Sequence, residues 1–370
     1  MSFLELCFRY PLASTGTFSR GEDYFKLPLE IASEMGFNVK VYALRNREQL
    51  KKTEDIEGFV VHRFDNSFKL IARLLEERAN LIHGHTFGWI PSTFAPLIKK
   101  PYVLTPHTDM AKPRNLKTKT AFYQYSRYMV SLWSVAKADK MLVQTNFTKK
   151  SFSHFIDEDR IEVLPLPINY RYWANSCQEK TDQFKARDTE KLIISAAYMQ
   201  PRKNFRTLLY AFKLVKEVIP KAELAIVGPD PVGSIPRLID LASDLGVKDS
   251  VSFLGRLARN DLLHAFHAAD VFALPSLWEC QCMAACEAAA AGLPLVLSNL
   301  RVLTEIFHGC ALFHEPLDYE TLAKQLLTIL TDRQLAEKLG KMGQEKMKGY
   351  DVGLFKSRLR RIYEELVLAR

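Results

Sequence analysis

The feature that most constrains this chain is a rhythm that runs once, breaks off, and starts again. Short apolar runs, each the length of one strand, alternate with longer segments of helical spacing. Leu4–Arg9, Val39–Leu44, Phe59–Arg63, Leu81–His83, Tyr102–Thr105, Lys140–Gln144 and Ile161–Leu164 read as strands. Tyr24–Met35 and Thr120–Ala138 have the spacing of helices between them. Near-continuously apolar strands separated by helices belong to parallel sheets covered on both faces. Tyr170–Lys191 is polar and aperiodic, and reads as a linker. After it come strands at Leu192–Ala197, Glu223–Val227, Ser250–Phe253, Val271–Leu274 and Leu295–Ser298, with helices at Arg206–Val218, Asp261–Ala268 and Met283–Ala291. The expectation is an α/β protein with two doubly wound domains: 1–170, a linker at 171–190, and 191–350. A C-terminal helix in 351–370 could pack on either, with a return to the first domain expected. Open α/β sheets bind ligands at the carboxyl ends of their strands, where strand order reverses. Two such edges are expected to face a central cleft.

A length of 370 residues agrees with two domains of ordinary size. With 48% hydrophobic and 25% charged residues, the composition is that of a globular protein. No stretch reaches the length of uninterrupted apolar sequence that a membrane-spanning helix needs. MSFLELCFRYPL reads as a first strand rather than a secretory leader, so a cytoplasmic location is expected. Six cysteines in a chain this long do not suggest a disulfide framework. Cys280, Cys282 and Cys286 form C-x-C-x3-C, which is not a familiar zinc spacing; small buried packing residues are the plainer reading, and no metal is expected. Residues 99–150 hold eleven Lys/Arg against Asp109 and Asp139, an excess equal to the whole chain's net charge of +9. Such a patch suits an anionic partner or is simply a solvated surface. Thr120–Ala138 combines Phe122, Tyr123, Tyr125, Tyr128, Met129 and Trp133 with basic neighbours, and reads either as a core helix with a basic rim or as a peripheral contact with anionic lipid on the inner membrane face.

Chemistry concentrates in ALPSLWECQCMAACEAAAAGLPLVLSN, Ala273–Asn299. A strand ends at Leu274, a loop follows, and an alanine-rich helix begins near Met283. The backbone N–H groups of Cys282, Met283 and Ala284 point out of the helix start, an anion seat suited to a diphosphate. Glu279 lies in the loop and Glu287 one turn into the helix. Carboxylates repel phosphate but accept from vicinal hydroxyls. A phosphate seat between two hydroxyl-binding carboxylates describes a nucleotide-sugar site. The alternative for Glu287 is a surface position on an amphipathic helix, which the smallness of Ala284–Ala291 argues against.

This segment resembles the E-x7-E motif of the large family of retaining glycosyltransferases with the GT-B fold, two Rossmann-like domains, which includes phosphatidylinositol mannosyltransferases and sucrose synthases. Pro275, Ser276, Glu279, Glu287, Ala288, Ala290, Gly292 and Pro294 carry the match. The resemblance implies that Glu279 contacts the transferred sugar and Glu287 the ribose hydroxyls. YMQPRKNFRTLLYAF, Tyr198–Phe212, resembles the family's G-R-x3-K-G element, with Lys203 at the lysine position, Tyr198 at the arginine position, and Arg202 as a nearby cation. AIVGPD with Gly228 resembles the next strand end, and VSFLGRL with Arg256 the nucleobase-contacting turn. VLTPHTDM resembles the segment whose histidine reaches the sugar, which makes His107 the candidate; a structural histidine is the alternative. IHGH, Ile82–His85, resembles the strand before it; His83 and His85 are expected on opposite faces, which argues against a shared metal. Gly16 and Gly21 are candidates for the N-terminal glycine-pair loop, with Arg20 in a glycine's place. Cys280 and Cys282 stand where the family has the glycines of E-G-F-G, and Gln281 where it has phenylalanine.

The expected activity is retaining, metal-independent transfer of a hexose from a nucleoside diphosphate sugar to an acceptor hydroxyl on a glycan, a lipid-linked molecule or a small molecule. Glu279, His107, Lys203 and Arg202 are the expected catalytic group. Glu287, Cys282, Met283, Ala284, Gly16, Gly21, Gly228 and Arg256 are the expected donor-binding group. No cofactor is expected beyond the nucleotide sugar itself, and nucleic acid is not among the expected partners. The alternatives are a GT-B sugar-nucleotide epimerase or phosphorylase, or a catalytically weakened GT-B homologue that acts as a binding protein.

Overall fold

The computed structural model describes residues 1–7, 23–44, 50–85, 94–107, 129, 131–175 and 190–369. The chain divides into two compact units, Met1–Leu166 with Gly353–Arg370, and Pro167–Val352.

The first unit is built on strands β1 (Ser2–Cys7), β2 (Asn38–Leu44), β3 (Thr53–Ile56), β4 (Phe59–Phe64), β5 (Leu81–His85), β6 (Tyr102–Thr105), β7 (Lys140–Val143) and β8 (Ile161–Val163). They lie in the order β3-β4-β2-β1-β5-β6-β7-β8. Every pairing is parallel except that of β3 with β4. The chain builds outward from β1 in one direction and then resumes beside it with β5, so the switch point lies between those two strands. Strand β1 is buried on both faces, with Phe3, Leu4 and Leu6 fully enclosed. Strand β3 escapes the sequence reading because TEDI carries two adjacent charges, Glu54 and Asp55, instead of an apolar run. It is joined to β4 by Glu57 and Gly58, both at positive φ (52° and 86°), the backbone of a tight two-residue hairpin. Its charged, short form blunts the sheet edge.

The C-terminal helix Val352–Leu368 belongs to this first unit. It buries Phe355, Leu359, Ile362 and Tyr363, and its outer face is tied down by Lys356 to Glu30 (2.7 Å) and Arg358 to Glu162 (3.1 Å).

The second unit carries β9 (Lys191–Ala196), β10 (Ala222–Val227), β11 (Val251–Gly255), β12 (Val271–Leu274), β13 (Leu295–Ser298) and β14 (Ala311–His314). Their order is β11-β10-β9-β12-β13-β14, all parallel. This is the doubly wound order of a dinucleotide-binding sheet, with its switch point between β9 and β12. The expected linker at 171–190 is shorter at its N-terminal end only. Tyr170–Trp173 is a helical turn capped by Asn169, with Trp173 fully buried, and Lys191 opens β9. Residues 176–189 lie outside the described residues. The chain enters and leaves this unit side by side, since Ile168 N–H donates to Tyr350 C=O and Val352 N–H to Ile168 C=O.

Two close approaches shape the functional end of the second unit. Gly228 follows β10 at φ +142°, and a Cβ there would fall 1.8 Å from the Ala197 carbonyl oxygen. The loops after β9 and β10 are thus pressed together, and Met199 N–H donates to Pro229 C=O. On the far side, helix Arg333–Met347 presses Gly340 and Gly343 against helix Met283–Ala290. A Cβ on Gly340 would lie 2.1 Å from the Gly292 carbonyl oxygen, and one on Gly343 3.4 Å from Ala289 Cβ. The alanines of Met283–Ala290 are small because a second helix lies almost against their backbone.

Candidate active site

The loops that leave β9 and β12 meet at the switch point of the second sheet. After β9 the chain makes a single tight turn, Pro201–Lys203, and reverses through Asn204 at φ +57° before helix Phe205–Val218. After β12, residues 275–282 lead into helix Met283–Ala290. Leu277 N–H donates to Arg202 C=O at 2.7 Å, which ties one loop to the other. This registration brings Lys203 and Glu279 together. Lys203 Nζ donates to Glu279 Oε1 in a buried pair. Ser276 Oγ, fully buried, donates to the same oxygen at 2.7 Å. Arg202 Nη1 lies 3.6 Å from Glu279 Oε2, and its guanidinium sits 5.5 Å from the Trp278 ring centre. Glu279 is therefore held by two cations and a hydroxyl.

Beside this cluster, helix Met283–Ala290 opens from Cys282 in the left-handed region (φ 66°, ψ 75°). Ala285 and Cys286 N–H donate to Cys282 C=O. Helical geometry leaves the N–H groups of Met283 and Ala284 directed out of the helix start, where the dipole favours an anion. Burial, reinforced by the nearby Glu279 charge, pushes the Cys282 thiol up to about 12, so it is a neutral packing group rather than a nucleophile. Glu287 is buried at 7% exposure, which removes the alternative of a surface glutamate. Gly228 and Arg256 follow β10 and β11 at the same sheet edge; Arg256 is exposed.

His107 lies on the first unit, in a separate cluster at the carboxyl ends of β5 and β6. His83 and His85 do not face opposite ways. Residues two apart on a strand share a face, and the two rings stack at 4.2 Å between centres. The sequence reading had the period of the strand wrong. His83 pairs through Nδ1 with the Tyr363 hydroxyl (2.6 Å) and through Nε2 with Thr105 Oγ1 (2.8 Å). His85 Nδ1 lies 2.9 Å from His107 Nε2, and its own Nε2 is 3.5 Å from Glu5 Oε1. Phe25 meets both rings edge-on. Burial holds all three imidazoles neutral: His83 and His107 are lowered to about 3, and His85 falls well below its usual value. His107 has a left-handed backbone, φ 50°. Among the described residues, no group of three His, Cys, Asp or Glu side chains is placed to hold a metal ion.

Of the remaining candidates, Gly16 and Gly21 lie outside the described residues, as do residues 108–128 and 130 of the basic region. The described part of the aromatic segment is helical over 131–137, with Val135 buried and Trp133 partly exposed. No helix among the described residues is long and apolar enough to cross a membrane. The reading of sequence missed the stacked histidines with Glu5 and Tyr363, and the glycines Gly340 and Gly343.

The family model described as glycosyl transferases group 1 matches residues 177–346, and the one described as glycosyltransferase family 4 matches 32–171. The chain belongs to the GT-B glycosyltransferases. D-inositol 3-phosphate glycosyltransferase of Corynebacterium kroppenstedtii is 29% identical over 279 residues, which are 70% of this chain and 61% of that protein. Three curated relatives are matched over 36%, 61% and 62% of their own length, less than two thirds in each case. Among solved structures, sucrose-phosphate synthase of Thermosynechococcus elongatus superposes with a TM-score of 0.83 at 20% identity, covering 100% of both chains. Anabaena HepE in complex with UDP and glucose superposes at 0.78 and 16% identity, covering 98% of this chain and 99% of that one. At these identities the likeness to solved structures is one of fold.

Proposed function

We propose that this GT-B glycosyltransferase moves a hexose from a nucleoside diphosphate sugar to an acceptor hydroxyl with retention of anomeric configuration. The observation that carries the reading is the buried Lys203–Glu279 pair beside the open N-terminus of helix Met283–Ala290, at the switch point of the second sheet. The N–H groups of Met283 and Ala284 seat the diphosphate, and Glu287 accepts from ribose hydroxyls. Lys203 and Arg202 carry more N–H donors than one carboxylate takes up. Glu279 thus positions them while they neutralise the charge that grows on the leaving diphosphate as the glycosidic bond stretches. The second carboxylate oxygen of Glu279 accepts from the transferred sugar, and His107 is the candidate of the first unit for contact with a sugar hydroxyl. The leaving phosphate oxygen takes the acceptor's proton on the same face, so no pair of carboxylates at glycosidase spacing is required. Helix dipole and cations supply the positive charge, with no divalent metal in the scheme. The UDP and glucose bound by the Anabaena neighbour support a uridine nucleotide as the first donor to try. The acceptor is a glycan, a lipid-linked molecule or a small polyol, reached from the cytoplasm, and the basic 99–150 region would hold the enzyme at an anionic membrane face if the acceptor is a lipid.

A thermal-shift panel of UDP, GDP and ADP sugars, followed by hydrolysis assays without acceptor, tests the donor assignment. Stabilisation of the second unit by one nucleotide class is the expected result. Silence across the panel would remove the donor-site reading.

A further inference from the structure

Arg202 is fastened on several sides, and one of its nitrogens is left open. Nε donates to Gln200 Oε1 at 3.1 Å. Nη1 donates to the Trp278 carbonyl at 3.4 Å and lies 3.6 Å from Glu279 Oε2. The guanidinium carbon stands 5.5 Å from the centre of the Trp278 ring, within reach of a cation–π contact. Nη2 makes no hydrogen bond to the protein and is not enclosed, and the side chain is 39% exposed. Lys203 is the contrast, its side chain 9% exposed and its ammonium set against Glu279. Of the two cations, Arg202 is the one with a donor directed to solvent.

The groups that fasten Arg202 are themselves fixed. Gln200 N–H donates to Tyr198 C=O at 2.7 Å, and Gln200 C=O accepts from Lys203 N–H at 2.9 Å, so its side chain departs from a pinned backbone. Trp278 lies between Leu277, whose N–H donates to Arg202 C=O, and Glu279, which Ser276 and Lys203 hold. The indole N–H is buried and makes no hydrogen bond, so it does not orient the ring. What Trp278 offers is its face and its carbonyl, and Arg202 takes both. The field at the Cys282 thiol, at the cap of helix Met283–Ala290, includes contributions from Glu279, Lys203 and Arg202, which sets the guanidinium within electrostatic range of the helix start. A free arginine side chain samples many rotamers; a clamped one has lost that freedom on folding and loses little more on binding.

We infer that Gln200 and Trp278 are positioning residues that clamp Arg202 and present its Nη2 to the diphosphate seated at the start of helix Met283–Ala290. The inference rests on the proposed donor site. It assigns to Gln200 and Trp278 a task that neither performs by touching the nucleotide.

The test uses the full-length protein and calorimetric titration with UDP and UMP, GDP and GMP, and ADP and AMP, the tightest-binding pair being carried forward. The nucleoside diphosphate bears the charge that develops on the leaving group, and the monophosphate is the internal control. The readout is the ratio of the two dissociation constants. Trp278→Leu and Gln200→Met should each lower the preference for the diphosphate about fivefold, the scale of one partly exposed cation–π contact or charged hydrogen bond, with monophosphate affinity unchanged. Trp278→Phe keeps an aromatic face and should lose about twofold or less. Arg202→Gln should lower the preference about tenfold or more. In the Arg202→Gln background, Trp278→Leu and Gln200→Met should then change it less than about twofold, because their effect passes through the guanidinium. Equal weakening of monophosphate and diphosphate by Trp278→Leu and Gln200→Met, or undiminished effects in the Arg202→Gln background, would overturn the positioning role while leaving the donor site standing. A wild type that binds none of the six nucleotides removes the donor site and the inference with it.

Discussion

Lys203→Met is the perturbation that probes the second unit most directly. Methionine keeps the length and the apolar stem while deleting the charge. Removing one partner from a buried ion pair typically costs about 3–5 kcal/mol, because the other charge stays enclosed without compensation. Glu279 would not be left bare, since Ser276 Oγ still donates at 2.7 Å and Arg202 remains 3.6 Å from Oε2. The Arg202 side chain is 39% exposed, so its help is screened and small. The hydroxyl offsets one hydrogen bond, about 1–1.5 kcal/mol. The expected loss is therefore about 2–3 kcal/mol, a fall of about 5–10 °C in the melting of a unit the size of Pro167–Val352. Glu279→Gln alone strands the ammonium in the same way. Lys203→Met with Glu279→Gln removes both charges and should lose about 2 kcal/mol less than the two single losses added together. Urea denaturation followed by tryptophan fluorescence supplies the cycle. Additivity within about 0.5 kcal/mol would mean that the two side chains are not coupled and would refute the reasoning from this pair to the active site.

Other expectations follow from the same geometry. Glu279→Gln and Lys203→Ala should each lower turnover well over tenfold, the scale of a lost electrostatic contact to a developing charge, as read by release of nucleotide from the preferred donor. Gly228→Ala places its Cβ 1.8 Å from a backbone oxygen at φ +142° and should cost more than about 2 kcal/mol, whereas Gly246→Ala, at φ +70° in open space, should cost about 1 kcal/mol; denaturation midpoints distinguish them. The first unit should lose stability in acid earlier than its carboxylates dictate. His83 and His107 are lowered to about 3 when folded but titrate near 6.5 when unfolded, so the unfolded chain binds protons that the folded one refuses. Stability is full above about pH 6.5 and falls as pH drops toward 3, by up to about 1.4 kcal/mol per pH unit for each histidine. His83→Gln should shallow that slope in pH-dependent melts.

Much of the fold was legible because burial on both faces leaves a simple trace. Tyr102–Thr105, Val271–Leu274 and Leu295–Ser298 were read with the bounds the structure gives, since an enclosed parallel strand is an unbroken apolar run. Edges were the opposite case. Strand β3, with the adjacent charges Glu54 and Asp55, carries too little apolar signal to announce itself, and β14 at Ala311–His314 was not read as a strand. Side-chain direction failed once, at His83 and His85, where the period of two makes neighbours of residues that were read as opposed. Gly340 and Gly343 were illegible for another reason. Their role depends on helix Met283–Ala290, more than forty residues earlier in the chain, and nothing local in RQLAEKLGKMGQEKM marks the contact. The chemistry of Ala273–Asn299 could be read because its parts are adjacent in sequence. The pairing of Glu279 with Lys203 spans 76 residues and needed the sheet order to bring it about.

Cys282 shows where local chemistry and fold part company. Its φ of 66° is a conformation that glycine takes freely and a side-chain-bearing residue adopts at a cost of about 1 kcal/mol or more. The family resemblance puts a glycine at this position, so the chain has replaced the residue while retaining the backbone that residue favours. The surroundings account for this. Helix Met283–Ala290 is clamped from behind by Gly340 and Gly343, and the loop before it is pinned by the Leu277–Arg202 hydrogen bond and by the contacts of Glu279. With both ends fixed, the direction of the Met283 and Ala284 N–H groups is dictated by packing rather than by the freedom of the residue at the cap. The cysteine side chain then fills buried space that glycine would leave empty, which offsets part of the backbone strain. A donor site of this kind depends on where the helix begins, and here that point is held by side-chain packing in place of glycine.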